Sequence, residues 1–257
     1  MRPLLTALAL TVASGLVSAP DAQAQTDEIQ VYTADISEPG QVSLTFHNNY
    51  IVRGRTQPDF PGGIVPDRSF NGVTELALGL TDWWEVGAYA PFVYTIDRDG
   101  HFFIDGVKLR SLFVSPRANR RTFFYGMNFE VSYNRPQWST TTWQLEARPI
   151  VGLHAGGWEL AFNPIIDVPL ASPSGLDFAP ATRLVYHFTP SLAAGLELYE
   201  DFGYVGRFLG IRDQQQALFA VFDVSLRPIA VELGVGHGFT EKGSDPLILK
   251  AIITPDF

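Results

Sequence analysis

The stretch Phe123-Phe124-Tyr125-Gly126-Met127-Asn128-Phe129-Glu130-Val131-Ser132-Tyr133 decides the fold. Its odd positions are all large and apolar, whereas Asn128, Glu130 and Ser132 fall on even ones. A strand turns successive side chains to opposite faces, so this segment has one apolar and one polar face.

Worked outward in both directions, the same period of two recurs from Gln41 to Phe257 and yields twelve strands. Val42, Leu44 and Phe46 open the series, Trp158, Leu160 and Phe162 continue it, and Leu247, Leu249, Ala251 and Ile253 end it on Phe257. The opposite parity carries Glu75, Glu85, Lys108, Arg110, Glu130, Glu146, Arg148, Glu159, Asp167, Arg183, Glu197, Asp223, Glu232 and Lys250, nine acids and five bases. Asp105 falls on the apolar parity, which places a bulge or a strand start at Asp105-Gly106.

Composition agrees with strands. The 257 residues include 23 Gly, 18 Pro and only 2 Met, with 13% aromatics, which suits many short strands and turns. A net charge of −9 argues against a nucleic-acid partner, because phosphate binding needs a basic patch; only Arg117, Arg120 and Arg121 cluster. Without cysteine there are no disulfides, thiolate metal sites or thiol nucleophile.

The N-terminus reads as a targeting segment. Arg2, an apolar run over 4–17 and Ala22-Gln23-Ala24 form a secretory signal peptide, residues 1–24. Residues 25–39 follow as a periplasmic N-terminal segment, polar enough either to hang free or to enter a lumen.

Alternation suits a soluble sandwich as well as a membrane barrel, and the links between strands distinguish them. Links after odd strands are long (53–69, 96–101, 135–141, 171–175, 201–215, 241–246). Those after even strands are mostly tight (81–82, 155–157, 189–191, 227–228), with 115–121 the exception. That asymmetry marks an all-β, antiparallel, up-and-down transmembrane barrel of the bacterial outer membrane, spanning residues 40–257 with both termini in the periplasm. Its outward band faces outer-membrane lipids. Trp83, Trp84 and Trp158 fall by the tight turns and Tyr50, Tyr94, Trp138 and Trp143 toward the long loops, where amphipathic rings suit both interfaces. The terminal Phe257 matches the last-strand signal read by the outer-membrane assembly machinery.

The charged face is then the lumen. About eight strands are filled by side chains and about 16 to 18 enclose an aqueous channel. Twelve lie between, so the interior is either a narrow pore or a polar-packed wall in which Arg110, Arg148 and Arg183 neutralise Glu130, Glu146, Asp167 or Glu197. The excess of acids favours cations if water passes. The Pro/Gly-rich stretch 57–68 either folds over the mouth or is a surface loop. The expected function is passive movement of small solutes through an outer-membrane channel.

Two rival functions fit the same wall, a barrel enzyme acting on lipid or peptide and a structural or adhesion barrel. His47 shares the inward face with Ser43 and Thr45, and Asn49 follows. A serine hydrolase needs Ser, His and an orienting group together on one accessible surface. In the outer-membrane phospholipases the histidine and serine stand two apart on an outward face with an asparagine from a neighbouring strand, whereas here Thr45 replaces the serine and the face is the inner one. His154 and His187 lie by tight turns and His237 near an outer strand end. There is no HExxH and no phosphate loop, since Gly234, Gly236 and Gly238 alternate within a strand and read as thin wall. No catalytic residue, metal or cofactor is assigned.

The residues also resemble a family. Asn71-Gly72-Val73-Thr74-Glu75, Leu78-Gly79-Leu80-Thr81-Asp82-Trp83-Trp84-Glu85-Val86-Gly87, Phe178-Ala179-Pro180-Ala181, and the segments Val235-Gly236 and Gly238-Phe239-Thr240 are similar to those of outer-membrane transporters named for the meta-pathway of phenol degradation. The resemblance runs over most of the chain after the signal. Much of its most specific part, the hairpin around Thr81-Asp82, is explained by hairpin formation. It implies a channel for small compounds, aromatic ones among them, and carries over no binding residue.

Overall fold

A computed structural model describes residues 28–33, 35–90, 93–170 and 175–255. The expected signal at 1–24 and the terminal Phe257 lie outside the described residues. Twelve antiparallel strands close into a barrel. The first six are β1 (Val42–Arg53), β2 (Phe70–Gly79), β3 (Trp84–Tyr89 continued by Tyr94–Ile96), β4 (Phe102–Ile104 continued by Val107–Val114), β5 (Phe123–Tyr133) and β6 (Trp143–Ala155). The rest are β7 (Trp158–Asn163 continued by Ile166–Pro169), β8 (Asp177–Phe178 continued by Ala181–Thr189), β9 (Leu192–Asp201), β10 (Gln215–Leu226), β11 (Ile229–Gly238) and β12 (Leu247–Pro255). Each pairs with its successor, and the register Phe46↔Ile253 to Ile51↔Ile248 seals β1 against β12. Closure removes the sheet edge, which in lipid would leave unpaired N–H and C=O groups.

Parity decides which side chains face outward. Leu76, Leu109, Phe129, Leu145, Leu196 and Leu233 are exposed on the outer wall, while Glu75, Lys108, Glu130 and Glu197 from the same strands are buried. The break in β4 falls at Asp105-Gly106. Asp105 is buried and accepts the Arg135 N–H at 2.6 Å. A Cβ on Gly106 would stand 1.8 Å from the Tyr133 carbonyl oxygen, so the chain passes β5 there only because the residue is glycine.

The two ends differ as the link lengths require. At one, Gly156 and Gly157 turn the chain at φ 59° and 86°, and Trp83, Trp84 and Phe113 stack with centroids 5.8 to 6.2 Å apart. At the other, the 54–69 and 134–142 loops fold inward. Phe60 of the 54–69 loop is buried, and the Ile64 N–H bonds the Gln137 carbonyl at 3.3 Å. Trp138 is a correction to the expected outer girdle. It is 6% exposed, packs with Val73, Tyr89 and Val93, and donates Nε1–H to Thr95 at 3.3 Å.

Of the two courses open to residues 25–39, hanging in the periplasm or entering the lumen, their described part takes the second. Glu28, Ile29, Val31 and Tyr32 are buried inside the barrel, and exposure is higher from Asp35 to Gly40. The segment leaves at the tight-turn end, where Gly40 N–H meets the Gly79 carbonyl at 2.7 Å before β1 begins. The lumen can hold it because inward wall side chains satisfy its peptide groups, as described next.

Candidate functional site

Among the described residues of the segment 28–38 none lies in a strand, so their backbone groups depend on side chains. Asn163 of β7 acts as a surrogate peptide: its Oδ1 accepts the Tyr32 N–H at 2.7 Å and its Nδ2 donates to the Tyr32 carbonyl at 3.0 Å. Lys250 donates to the Ile29 carbonyl at 3.2 Å, Arg148 to the Gln30 carbonyl at 3.2 Å, and Glu85 accepts the Ser37 N–H at 2.6 Å. Apolar side chains fill the remainder. Val31 and Tyr32 pack with Leu112, Phe124 and Ile150, and Ile29 with Val185, Phe219 and Ile248.

Tyr32 stands at the centre of the occupied lumen. Its hydroxyl lies 2.9 Å from Tyr89 Oη and 3.0 Å from Glu28 Oε1, and it donates to Glu130 at 3.3 Å. The guanidinium carbons of Arg148 and Arg110 stand 4.5 and 5.7 Å from its ring centre, where the negative ring face attracts cations.

The inward charges form two networks. In the first, Arg110 donates to Glu75 at 2.7 Å and to Glu85 at 2.6 Å, and the other Glu75 oxygen lies 3.1 Å from His47 Nε2. Lys108 sits 2.7 Å from Glu130 and 4.0 Å from Glu28, while Arg148 donates to Glu146 at 2.7 Å. In the second, Arg183 donates to Glu197 at 2.5 Å, Glu232 at 2.8 Å, Glu159 at 3.4 Å and also Asp223. Lys250 shares Glu197 and lies 2.6 Å from Glu232. Asp167 accepts from Gln144 Nε2 at 2.9 Å. Charges removed from bulk water need such partners, because an isolated one would cost several kcal/mol.

Glycine makes room for two of these cations. Gly87 lies opposite Arg110 and Gly234 opposite Lys250. A Cβ on either would stand 2.7 Å from the long side chain crossing it. Sequence reasoning missed Glu28, Tyr32, Tyr89, Asn163 and Tyr199, whose hydroxyl donates to Glu197 at 2.7 Å. Tyr89 and Tyr199 do lie on the inward parity, so inward phenols among the charges were the available signal.

Beside the segment a cavity of about 1190 Å³ opens at the tight-turn end, reaching from Val42, Ser191 and Pro255 up to Tyr32, Arg110 and Arg183. Its lining includes seven carboxylates, among them Asp35, Glu85, Asp223 and Glu232, against three arginines, Arg110, Arg183 and Arg227. Toward the long loops lies a second void, of about 30 Å³, between Phe60, Trp138, Gln144, Asp167 and Tyr204.

The candidate hydrolase residues are engaged elsewhere. Thr45 Oγ1 meets Thr254 Oγ1 at 3.0 Å, Ser43 accepts from Ser37 at 3.0 Å, and Glu75 rather than a hydroxyl occupies His47 Nε2. His154 Nε2 lies 3.2 Å and His187 Nε2 3.7 Å from Glu159, and His237 bonds the Pro246 carbonyl at 2.8 Å. At the tip of the β3–β4 hairpin, Asp97 accepts N–H groups from Asp99 (2.9 Å) and His101 (2.8 Å) and lies 3.0 Å from His101 Nδ1. Partial burial pushes the Asp97 carboxyl up, but the His101 side chain and these two N–H groups outweigh it and hold the carboxyl below its ordinary range. His101 is raised, first by its hydrogen bond to Asp97 and then by the negative charge there.

No family model and no curated protein matches the chain, so the resemblance to the meta-pathway transporters rests on the residues quoted above. Solved structures do match. An outer membrane channel from Pseudomonas putida F1 aligns with a TM-score of 0.60 over 90% of this chain and 100% of that one, at 14% identity. The KdgM porin, solved in complex with disordered oligogalacturonate, aligns with a TM-score of 0.52 over 84% of this chain and 99% of that one, at 8% identity. At such identities the likeness is one of fold, and the fold is that of bacterial outer-membrane barrels.

Proposed function

We propose that the chain is a passive outer-membrane channel for small solutes, aromatic compounds among them, with a preference for cations. The observation that carries this reading is the acid-rich cavity of about 1190 Å³, which opens at the tight-turn end of a closed barrel and ends against Tyr32. A wall meant only to be packed solid would not keep that volume. Glu75, Glu85, Arg110, Glu159, Arg183, Asp223 and Glu232 line it, while Lys108, Glu130, Arg148, Glu197 and Lys250 lie farther in, Glu146 bonds Arg148 and Asp167 lines the outer void. The aromatic cargo is supported by the family resemblance alone. In this reading the outward band meets outer-membrane lipid, and Phe257 presents the chain to the assembly machinery.

The test is conductance of the purified protein in planar bilayers, together with liposome swelling in phenol-sized solutes and in sugars. Small cation-selective steps and faster swelling with the smaller solutes are expected. A barrel that passes neither ions nor solutes, even when residues 28–38 are removed, overturns the proposal.

A further inference from the structure

The loop 202–214 leaves Val205, Phe208 and Ile211 exposed, unlike the 54–69 loop with its buried Phe60. Strands β8 and β9 continue beyond the wall here: Phe202 N–H bonds the Phe178 carbonyl at 3.0 Å and Val205 N–H the Leu176 carbonyl at 2.8 Å. Asp177 and Asp201 are buried on the lumen side, so alternation turns their neighbours Phe178 and Phe202 outward. The two rings stack at 5.9 Å, and Phe208 lies against both at 6.5 and 6.0 Å. The fold-back is fixed by Leu209 N–H on the Phe202 carbonyl at 2.8 Å and by Gln214 Nε2 on the Leu209 carbonyl at 2.9 Å.

The loop therefore continues the outer wall at the long-loop rim. Val205, Phe208 and Ile211 remain 52%, 55% and 73% exposed on it. An apolar patch of this kind on a folded surface marks a contact with another apolar phase. Arg207 and Arg212 flank it. Arg207 stands 5.6 Å over the Tyr204 ring, and Arg212 meets Glu241 at 3.5 Å with both side chains mostly exposed, a pairing weak enough to exchange.

We infer that the 202–214 loop is a lipid-seated lobe: Val205, Phe208 and Ile211 enter the acyl layer of a phosphate-bearing leaflet, and Arg207 and Arg212 meet its headgroup phosphates. The proposal rests on the outer-membrane reading above. Its grounds are continuity of the lobe with the outward apolar wall and the suitability of guanidinium for phosphate.

The chain has no cysteine, so single spin labels can be placed without background. Val205→Cys and Ile211→Cys are compared with Leu196→Cys on the outward band and Arg98→Cys on the exposed hairpin tip. The proteoliposomes are phosphatidylcholine, with and without phosphatidylglycerol. Labels at 205 and 211 are expected to favour oxygen over a water-soluble nickel chelate, as at 196 and unlike 98, and to sit deeper when phosphatidylglycerol is present. R207Q with R212Q abolishes that added depth. Labels at 205 and 211 as nickel-accessible as 98, while 196 stays in lipid, overturn the lobe alone. Dipolar broadening between labels at 211 overturns it in favour of a second copy, and indifference to phosphatidylglycerol overturns the phosphate contact. A water-accessible 196 removes the outer-membrane reading itself.

Discussion

The hydroxyls of Tyr32 and Tyr89 lie 2.9 Å apart, one on the segment that precedes the barrel and the other on its wall. Both residues are buried, with charges on every side, so the pair joins the segment to the β3 wall at the point where the cavity ends. The segment is thus part of the barrel's interior packing, and the lumen is narrow because this ring and its neighbours occupy it.

Tyr32→Ala removes the ring, two cation contacts and the phenol bonds together. Replacing a buried aromatic by alanine costs about 3–5 kcal/mol. The variant is expected to lose its compact barrel at a lower temperature on heat-modifiability gels and to conduct in larger steps. Tyr89→Phe deletes one hydroxyl, costs about 1 kcal/mol and leaves conductance near the parent value. Equal conductance in Tyr32→Ala and the parent would show that the constriction lies elsewhere.

Arg183 is the shared partner of Glu159, Glu197, Asp223 and Glu232. Arg183→Met keeps much of the volume but leaves Lys250 and two partly exposed histidines, His154 and His187, near four carboxylates. Breaking a buried pair on one side costs about 3–5 kcal/mol. Urea unfolding from detergent is expected to shift to markedly lower concentration. Arg183→Lys recovers only part of the loss, because a single ammonium cannot spread over four acceptors as the planar guanidinium does. Full recovery by lysine would mean that charge alone, without the fork geometry, holds the network.

The wall was readable because a closed sheet offers each side chain only two destinations. Leu196 and Glu197 are adjacent in sequence and end on opposite sides, one exposed and one buried. The segment 28–38 was not readable this way, having no period to show. Its backbone is bonded by side chains of residues distant in sequence, such as Asn163, 131 positions from Tyr32. Nothing in Asn163 itself marks it as a peptide surrogate. Trp138 misled for a related reason: an indole suits a lipid interface and a buried hydrogen bond to Thr95 equally, and only the path of the 134–142 loop decides. Likewise, a search of the inward parity for charge passes over Tyr89 and Tyr199, although a phenol can bond a carboxylate, as Tyr199 does Glu197, or a second phenol, as Tyr89 does Tyr32.

The hairpin tip should respond to pH through Asp97 and His101. The histidine is raised above its ordinary 6.5, so its stabilising contribution is full below that value and disappears as pH rises through the raised value. Asp97 is lowered, so its contribution is present above the ordinary 3.8 and is lost only as pH falls through the lowered value. Between these limits the tip is best held. An NMR titration of the His101 ring should give a midpoint above 6.5, returning toward it in Asp97→Asn. An unchanged midpoint in that variant would show that the 3.0 Å contact is not formed in solution.

Gly234 and Gly40 separate two uses of glycine. Gly40 has φ +82° with nothing within 4 Å of a built Cβ, so Gly40→Ala meets only backbone strain, about 1–2 kcal/mol. Gly234 has no such φ, but a Cβ there would stand 2.7 Å from Lys250 Cγ and 2.9 Å from its Cε. Gly234→Val must lift the lysine away from Glu197, Glu232 and the Ile29 carbonyl, which loosens the start of the lumen segment. Overpacking of this kind costs about 1–3 kcal/mol. The distinguishing consequence is functional: Gly234→Val is expected to raise conductance while Gly40→Ala at similar stability does not. If both variants conduct alike, the Lys250 tether does not hold the segment in place.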